Sequence, residues 1–150
     1  MDLDLHRLAT RIADALERLA PVQSSSSTLG PEDAFVWHPD RNWLKAIPRI
    51  NRVPLHLLKG IGDQANTLLL NTRQHADGLP ANNALLWGAR GTGKSSLVKA
   101  VHAEVNGNRL AANRLVIVEI HREDVPSLPS LLDQLRKTKR RCLVFCDDLS

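Results

Sequence analysis

The sequence predicts a three-layer α/β fold built around a parallel sheet, and three observations predict it. Short apolar runs that suit buried strands alternate with segments of helical periodicity. A glycine-rich loop, Gly88-Ala89-Arg90-Gly91-Thr92-Gly93-Lys94-Ser95, lies between one such run and a helix. A later run, Cys142-Leu143-Val144-Phe145-Cys146, closes on Asp147 and Asp148. In open parallel sheets ligands bind beyond the carboxyl ends of the strands, which is where both of these stretches fall.

Taken in order, residues 1–20 read as an amphipathic helix, with Leu5, Leu8, Ile12, Leu16 and Leu19 on one stripe between Leu3 and Leu19. Pro21 and Ser24-Ser25-Ser26-Ser27 break it, so residues 21–30 form a serine-rich linker. Residues 31–78 lead into the core. Their first part, Pro31 to Leu58, mixes Pro39, Pro48 and Pro54 with Phe35, Trp37 and Trp43, and is expected to be irregular or to form short elements wrapped on the core. Trp37 and Trp43 read as plugs of a surface groove, with stacking on a base as the alternative. His38 and His56 have no ligand partners at metal spacing and read as structural. Asp63 to Ala76 reads as a helix capped by Asp63 and stopped at Gly78, with Ala65, Leu68, Leu69 and Thr72 on its inner face.

Residues 79–150 carry the core proper. Ala84 to Trp87 is expected as the first strand, the glycine loop follows, and Ser96 to Val105 continues as a helix that Gly107 stops. Leu115 to Ile120 is almost continuously apolar, as in a strand buried on both faces. Ser127 is expected to cap a helix whose face is Leu128, Leu131, Leu132 and Leu135, and Arg141 to Cys146 is the third strand. No internal repeat is present.

The loop fits G-x-x-x-x-G-K-[ST], a P-loop, and its flanks are what a nucleoside triphosphate requires. Gly88, Gly91 and Gly93 permit backbone angles closed to other residues, so that amides from Gly88 through Ala89, Arg90, Gly91, Thr92, Gly93, Lys94, Ser95 and Ser96 can approach phosphate oxygens. The first turn of the next helix adds unpaired N–H donors and a partial positive charge. Lys94 is expected to reach the β- and γ-phosphates, and the Ser95 hydroxyl to ligate Mg²⁺. Asp147 is the second expected metal ligand, and Asp148 is placed to activate the attacking water, though Asp is one methylene shorter than the Glu common at this position.

The chain has 150 residues, 43% of them hydrophobic, enough for one core. Its net charge of +4 is mildly basic, part of it in Arg136-Lys137-Thr138-Lys139-Arg140-Arg141. That cluster reads first as a solvated helix end and second as a nucleic-acid contact. The only two cysteines, Cys142 and Cys146, fall on one face of a strand, too far apart to bridge, as buried thiols of a reducing compartment. There is no secretory signal and no stretch of membrane-spanning length, so a cytoplasmic protein is expected.

The segment Pro80 to Ala100, with Glu119-Ile120-His121-Arg122-Glu123-Asp124 and Phe145-Cys146-Asp147-Asp148-Leu149-Ser150, resembles the AAA+ ATPases. More narrowly it resembles the predicted bacterial AAA+ ATPases of domain of unknown function 815, over roughly residues 50 to 150. The resemblance implies ATP rather than GTP, Mg²⁺, and assembly into rings or other homo-oligomers. It places Leu58-Lys59-Gly60-Ile61 near the adenine. An AAA+ core continues past the acidic strand with a sensor strand, a further strand, an arginine finger and a helical lid. The sensor strand inserts between the P-loop strand and the acidic strand. The 150 residues are therefore expected to be the N-terminal part of such a domain, truncated after the acidic strand.

The leading expectation is an ATP-binding AAA+-type module whose complete form is an ATPase that turns hydrolysis into conformational work, with a protein client or nucleic acid as partner. The alternatives are a helicase-loader or transposition-helper ATPase that binds nucleic acid, and a truncated non-catalytic interaction fragment.

Overall fold

Successive side chains of a strand point to opposite faces, so a sheet whose inner strands are apolar at nearly every position needs cover on both sides. The computed structural model describes residues 11, 12, 15 and 29–147, and shows such cover. Four strands, β1 (Ala34–His38), β2 (Trp43–Ala46), β3 (Val116–Ile120) and β4 (Cys142–Cys146), form one open sheet in the order β2-β1-β3-β4. β1, β3 and β4 run parallel, and β2 is an antiparallel edge. Helix α1 (Gly62–Asp77) and helix α2 (Lys94–Asn106) cover one face, and α3 (Leu128–Leu135) covers the other.

The two faces have separate cores. Phe35, Trp37, Val116, Val118 and Ile120 point to the α3 side and meet Leu131, with Cys142, Val144 and Cys146 packed against them. Ala34, Leu115 and Ile117 point the other way, where Leu97, Val98 and Val101 of α2 and Ala65 of α1 meet them. Trp37, at 0% exposure, also donates its indole N–H to Ser127 Oγ at 2.7 Å.

One expectation about strands is made specific and one is corrected. The short elements of the proline-bearing segment after residue 31 are β1 and β2, joined by a short turn through Pro39–Arg41 that ends at Asn42, which takes a left-handed φ of 48°. The prolines flank the strands rather than interrupt them, which is where a residue without an N–H does no harm to a ladder. Ala84–Trp87 is not a strand. It enters no ladder; Leu86 packs into the α2-side core with Leu143, whereas Leu85 and Trp87 are 74% and 89% exposed. An apolar run becomes a strand only where its N–H and C=O groups find a partner, and among the described residues β4 pairs with β3 alone.

The helices lie close to expectation. α1 runs from Gly62 to Asp77 and ends at Gly78 with φ of 84°, the left-handed stop that glycine permits. Asp63 sits inside the first turn rather than at the cap, which is Ile61. Ser127 makes no side-chain cap to α3. Its hydroxyl instead accepts from Trp37 and donates to Asp124 O at 2.6 Å, because a 3₁₀ segment, Arg122–Ser127, runs straight into the helix. Leu132, expected on the inner face of α3, is 36% exposed. Of the expected helix over 1–20, only Arg11, Ile12 and Ala15 are described, helical and exposed; the remainder, and residues 21–28 of the linker, lie outside the described residues.

Candidate functional site

The glycine loop joins the segment Ala84–Trp87 to the start of α2. Its glycines take φ values of 140° at Gly88, 82° at Gly91 and 84° at Gly93. An added Cβ at Gly91 or Gly93 would meet nothing within 4 Å, so it is the left-handed backbone, not crowding, that calls for glycine. Thr92 Oγ1 donates to Ala89 O at 2.8 Å and tightens the bend. The Lys94 ammonium turns back over the loop, donating to Gly88 O at 2.9 Å and Ala89 O at 2.8 Å. Gly93 leads the helix without a side-chain cap, and Leu97 N closes the first turn on Gly93 O at 2.8 Å. By helix geometry the N–H groups of Lys94, Ser95 and Ser96 have no carbonyl behind them and face the loop mouth.

The structure joins this loop to the acidic strand end. Ser95 Oγ donates to Asp147 Oδ1 at 2.6 Å, a contact between residues 52 apart in sequence. It arises because β4 ends at Cys146, one residue before Asp147, level with the first turn of α2. A hydroxyl and a carboxylate are the hard oxygen donors that a small divalent cation such as Mg²⁺ takes, with phosphate and water oxygens completing its shell. Among the described residues no group of three or more His, Cys, Asp or Glu gathers as a metal site of its own. Of the expected site residues, Gly88, Ala89, Arg90, Gly91, Thr92, Gly93, Lys94, Ser95 and Ser96 form one continuous loop and helix start, and Asp147 meets them. Asp148 lies outside the described residues. Leu58 and Ile61, expected near the adenine, pack into the α2-side core, and Gly60 has φ of 78°.

Charge and burial set the neighbourhood. The Cys146 thiol, beside Asp147, has its pKa raised, by burial first and by the aspartate second. Burial pushes the Cys142 thiol up to about 11. Both cysteines are free thiols.

The basic cluster before β4 is not a uniform solvated patch. Arg140 is built into the fold: its guanidinium donates to Gly30 O at 2.8 Å, Glu32 O at 2.7 Å and Asp33 Oδ1 at 2.9 Å. Asp33 also takes Arg114 at 3.1 Å. Arg136 pairs with Asp133 at 2.8 Å. Lys137, Lys139 and Arg141 remain on the surface. Of the two tryptophans considered for base stacking, Trp37 is fully buried, and Trp43, 39% exposed, stacks on His38 with ring centroids 5.8 Å apart.

Residues 31–150 match the family described as protein of unknown function (DUF815). The chain belongs to that family. No match was found among curated proteins or among solved structures. The match takes in β1 and β2 as well as the glycine loop, so the hairpin belongs to the DUF815 unit and is no appendage to it. Among the described residues no helix is long and apolar enough to cross a membrane.

Three features of this DUF815 chain escaped the sequence reading. The hairpin was signalled by Ala34-Phe35-Val36-Trp37-His38, a β-branched and aromatic run bounded by Asp33 and Pro39. A buried polar set joins α2 to β3: Asn106 Nδ2 donates to Leu115 O at 2.9 Å and Leu115 N donates to Asn106 Oδ1 at 2.9 Å, with His102 Nε2 2.8 Å from the same carbonyl. Its only sequence signal was an i, i+4 pair of polar residues on an otherwise apolar helix face. The third feature is Lys99 of α2, placed 3.3 Å from Glu119 of β3 and 5.9 Å from the centroid of the Phe145 ring.

Proposed function

We propose that this chain is the ATP-binding part of a cytoplasmic AAA+-type P-loop ATPase, in which Mg-ATP occupies the glycine loop. The observation that carries the proposal is the 2.6 Å bond between Ser95 and Asp147. It brings a hydroxyl and a carboxylate, oxygen donors of the kind Mg²⁺ takes, against a helix N-terminus whose amides suit phosphate. Lys94 lies across the loop on carbonyls that phosphate oxygens would replace as its partners. Gly88, Gly91 and Gly93 keep the backbone bare enough for close approach. Asp148 would polarise the attacking water, and the complete protein, a homo-oligomer on the resemblance to AAA+ ATPases, would convert hydrolysis into conformational work on a client. The free, partly buried thiols suit a reducing compartment.

Nucleic-acid binding is not favoured as the second reading, because Arg140 of the basic cluster is spent on Asp33 and two backbone carbonyls. The test is equilibrium titration of Mg-ATP and Mg-GTP into the native chain and into Lys94→Ala. Saturable ATP binding that the substitution abolishes supports the proposal. Equal affinity in the two proteins would remove the loop from the role.

A further inference from the structure

We infer that Lys99 and Glu119 are a positioning pair that keeps Ser95 and Asp147 at ligating distance; the inference rests on the reading of Ser95 and Asp147 as the Mg²⁺ ligands. Lys99 follows Ser95 by one helical turn and lies on the same face of α2. Phe145, on β4, precedes Asp147 by two residues, and Asp147 follows directly on the strand's last residue, Cys146. One helical turn rises about 5.4 Å, and two strand residues rise about 6.6 Å, so the two pairs form rungs of similar spacing. The upper rung is the Ser95–Asp147 hydrogen bond. The lower rung is Lys99, over the Phe145 ring at 5.9 Å and 3.3 Å from Glu119. Glu119 stands in register with Phe145 on the adjacent strand, so the lower rung ties α2 to two strands at once.

The lower rung is chemically odd for its place. It borders a core cluster of Ala34, Val98 and Ile117 that also takes in Leu143 and Phe145. Glu119 is the single charged residue of β3, and both Lys99 and Glu119 are about three-quarters shielded from solvent, at 27% and 23% exposure. A pair of apolar residues would fill such a site with no desolvation cost, and burying charges there seldom adds stability over them. What an ion pair adds is registry: a directional contact that fixes how far α2 slides along the strands. A slide of α2 moves Ser95 relative to Asp147, which an apolar contact would tolerate and a metal site would not. Groups that orient metal ligands without touching the metal commonly change metal affinity by about 10- to 100-fold.

The experiment uses the 150-residue chain with ATP titrated at varied free Mg²⁺, and in EDTA. Lys99→Met should raise the Mg²⁺ concentration needed for half-maximal ATP binding by about tenfold, the low end of that range, while ATP affinity in EDTA stays within about twofold. Glu119→Gln, which keeps volume and packing, should act in the same direction, and Lys99→Arg should restore most of the Mg²⁺ response. Unchanged Mg²⁺ demand, or an equal loss with and without Mg²⁺, overturns the inference. A second measurement needs no nucleotide: urea unfolding of Lys99→Met, Ser95→Ala and the double variant. Coupled rungs predict that the double variant's effect on the unfolding constant differs by about threefold or more from the product of the single effects, whereas simple multiplication overturns the coupling. A native chain that fails to bind Mg-ATP would refute the proposed function, and the unfolding cycle would still decide on the pair.

Discussion

Replacing Asp33 by Ala is expected to cost the fold about 2 to 3 kcal/mol, the sum of charge-assisted bonds this carboxylate makes to two arginines. Asp33 stands just before β1, Arg114 just before β3 and Arg140 just before β4, so one carboxylate gathers the N-terminal ends of three adjacent strands. The bond to Arg140, 2.9 Å long with both side chains 15% exposed, carries most of the effect. The bond to Arg114 contributes less, because that side chain is 42% exposed and water can replace its partner. In Asp33→Ala, Arg140 keeps its bonds to Gly30 O and Glu32 O but loses its counter-charge, and an unpaired, shielded guanidinium is costly. At about 2 to 4 °C per kcal/mol for a chain of this size, the midpoint should fall by roughly 4 to 12 °C. Urea unfolding followed by tryptophan fluorescence measures the change, with Trp37 as a fully buried reporter. A loss below about 0.5 kcal/mol, the level of a surface ion pair, would refute the clamp. Arg140→Lys should recover little, because an ammonium cannot reproduce the fork that holds a carboxylate and two carbonyls together.

Four further outcomes follow from three buried groups. The His102 ring, fully enclosed, has its pKa pushed below 6.5, chiefly by burial. Below pH 6.5 the unfolded chain therefore takes up a proton that the folded ring resists, and stability falls with pH until the lowered folded pKa is passed. That slope should be missing from His102→Gln in pH-resolved urea unfolding, and its persistence there would acquit this ring. The Cys142 thiol, pushed up to about 11 from 9.0, should react with a disulfide reagent at pH 8 about a hundredfold more slowly in the folded chain than in urea. The same shift removes stability as pH rises from 9 towards 11, since the folded chain holds a proton that the unfolded chain releases. Equal thiol rates in the two states would contradict the burial. Trp37→Phe should cost about 1 to 3 kcal/mol, because it removes the donor to Ser127 from an interior site; a smaller loss in urea unfolding would mean that this bond does not hold α3 to the sheet.

The sequence was most legible where a local pattern and a covalent neighbour agree. β3, β4 and α2 follow from near-continuous apolar runs and a helical period beside glycine punctuation, and each begins within two residues of where its pattern does. The glycine loop was legible residue by residue, because positive φ at Gly88, Gly91 and Gly93 is a local demand. Pairing was not legible. Ala84–Trp87 carries a strand's composition without a partner, and Ala34–His38 carries it beside prolines that mask it; only the completed sheet tells them apart. Arg140 misled for the same reason. Six residues of basic sequence suggest one surface, yet the guanidinium in their midst turns inward to Asp33, 107 positions earlier in the chain. Contacts over that distance leave no periodic trace, and the meeting of Ser95 with Asp147 was inferable only because both ends bore chemistry of their own.

The central claim is that the glycine loop and Asp147 together bind Mg-ATP, and thermal unfolding tests it most directly. The native chain, Lys94→Ala and Asp147→Asn are melted alone, with ATP in EDTA, and with Mg-ATP. A ligand at 100 times its dissociation constant adds about 2.7 kcal/mol to the folded state. The account predicts that Mg-ATP raises the native midpoint by several degrees, leaves Lys94→Ala unmoved, and raises Asp147→Asn no more than ATP in EDTA does. A native midpoint indifferent to Mg-ATP, or equal shifts in all three proteins, would contradict it.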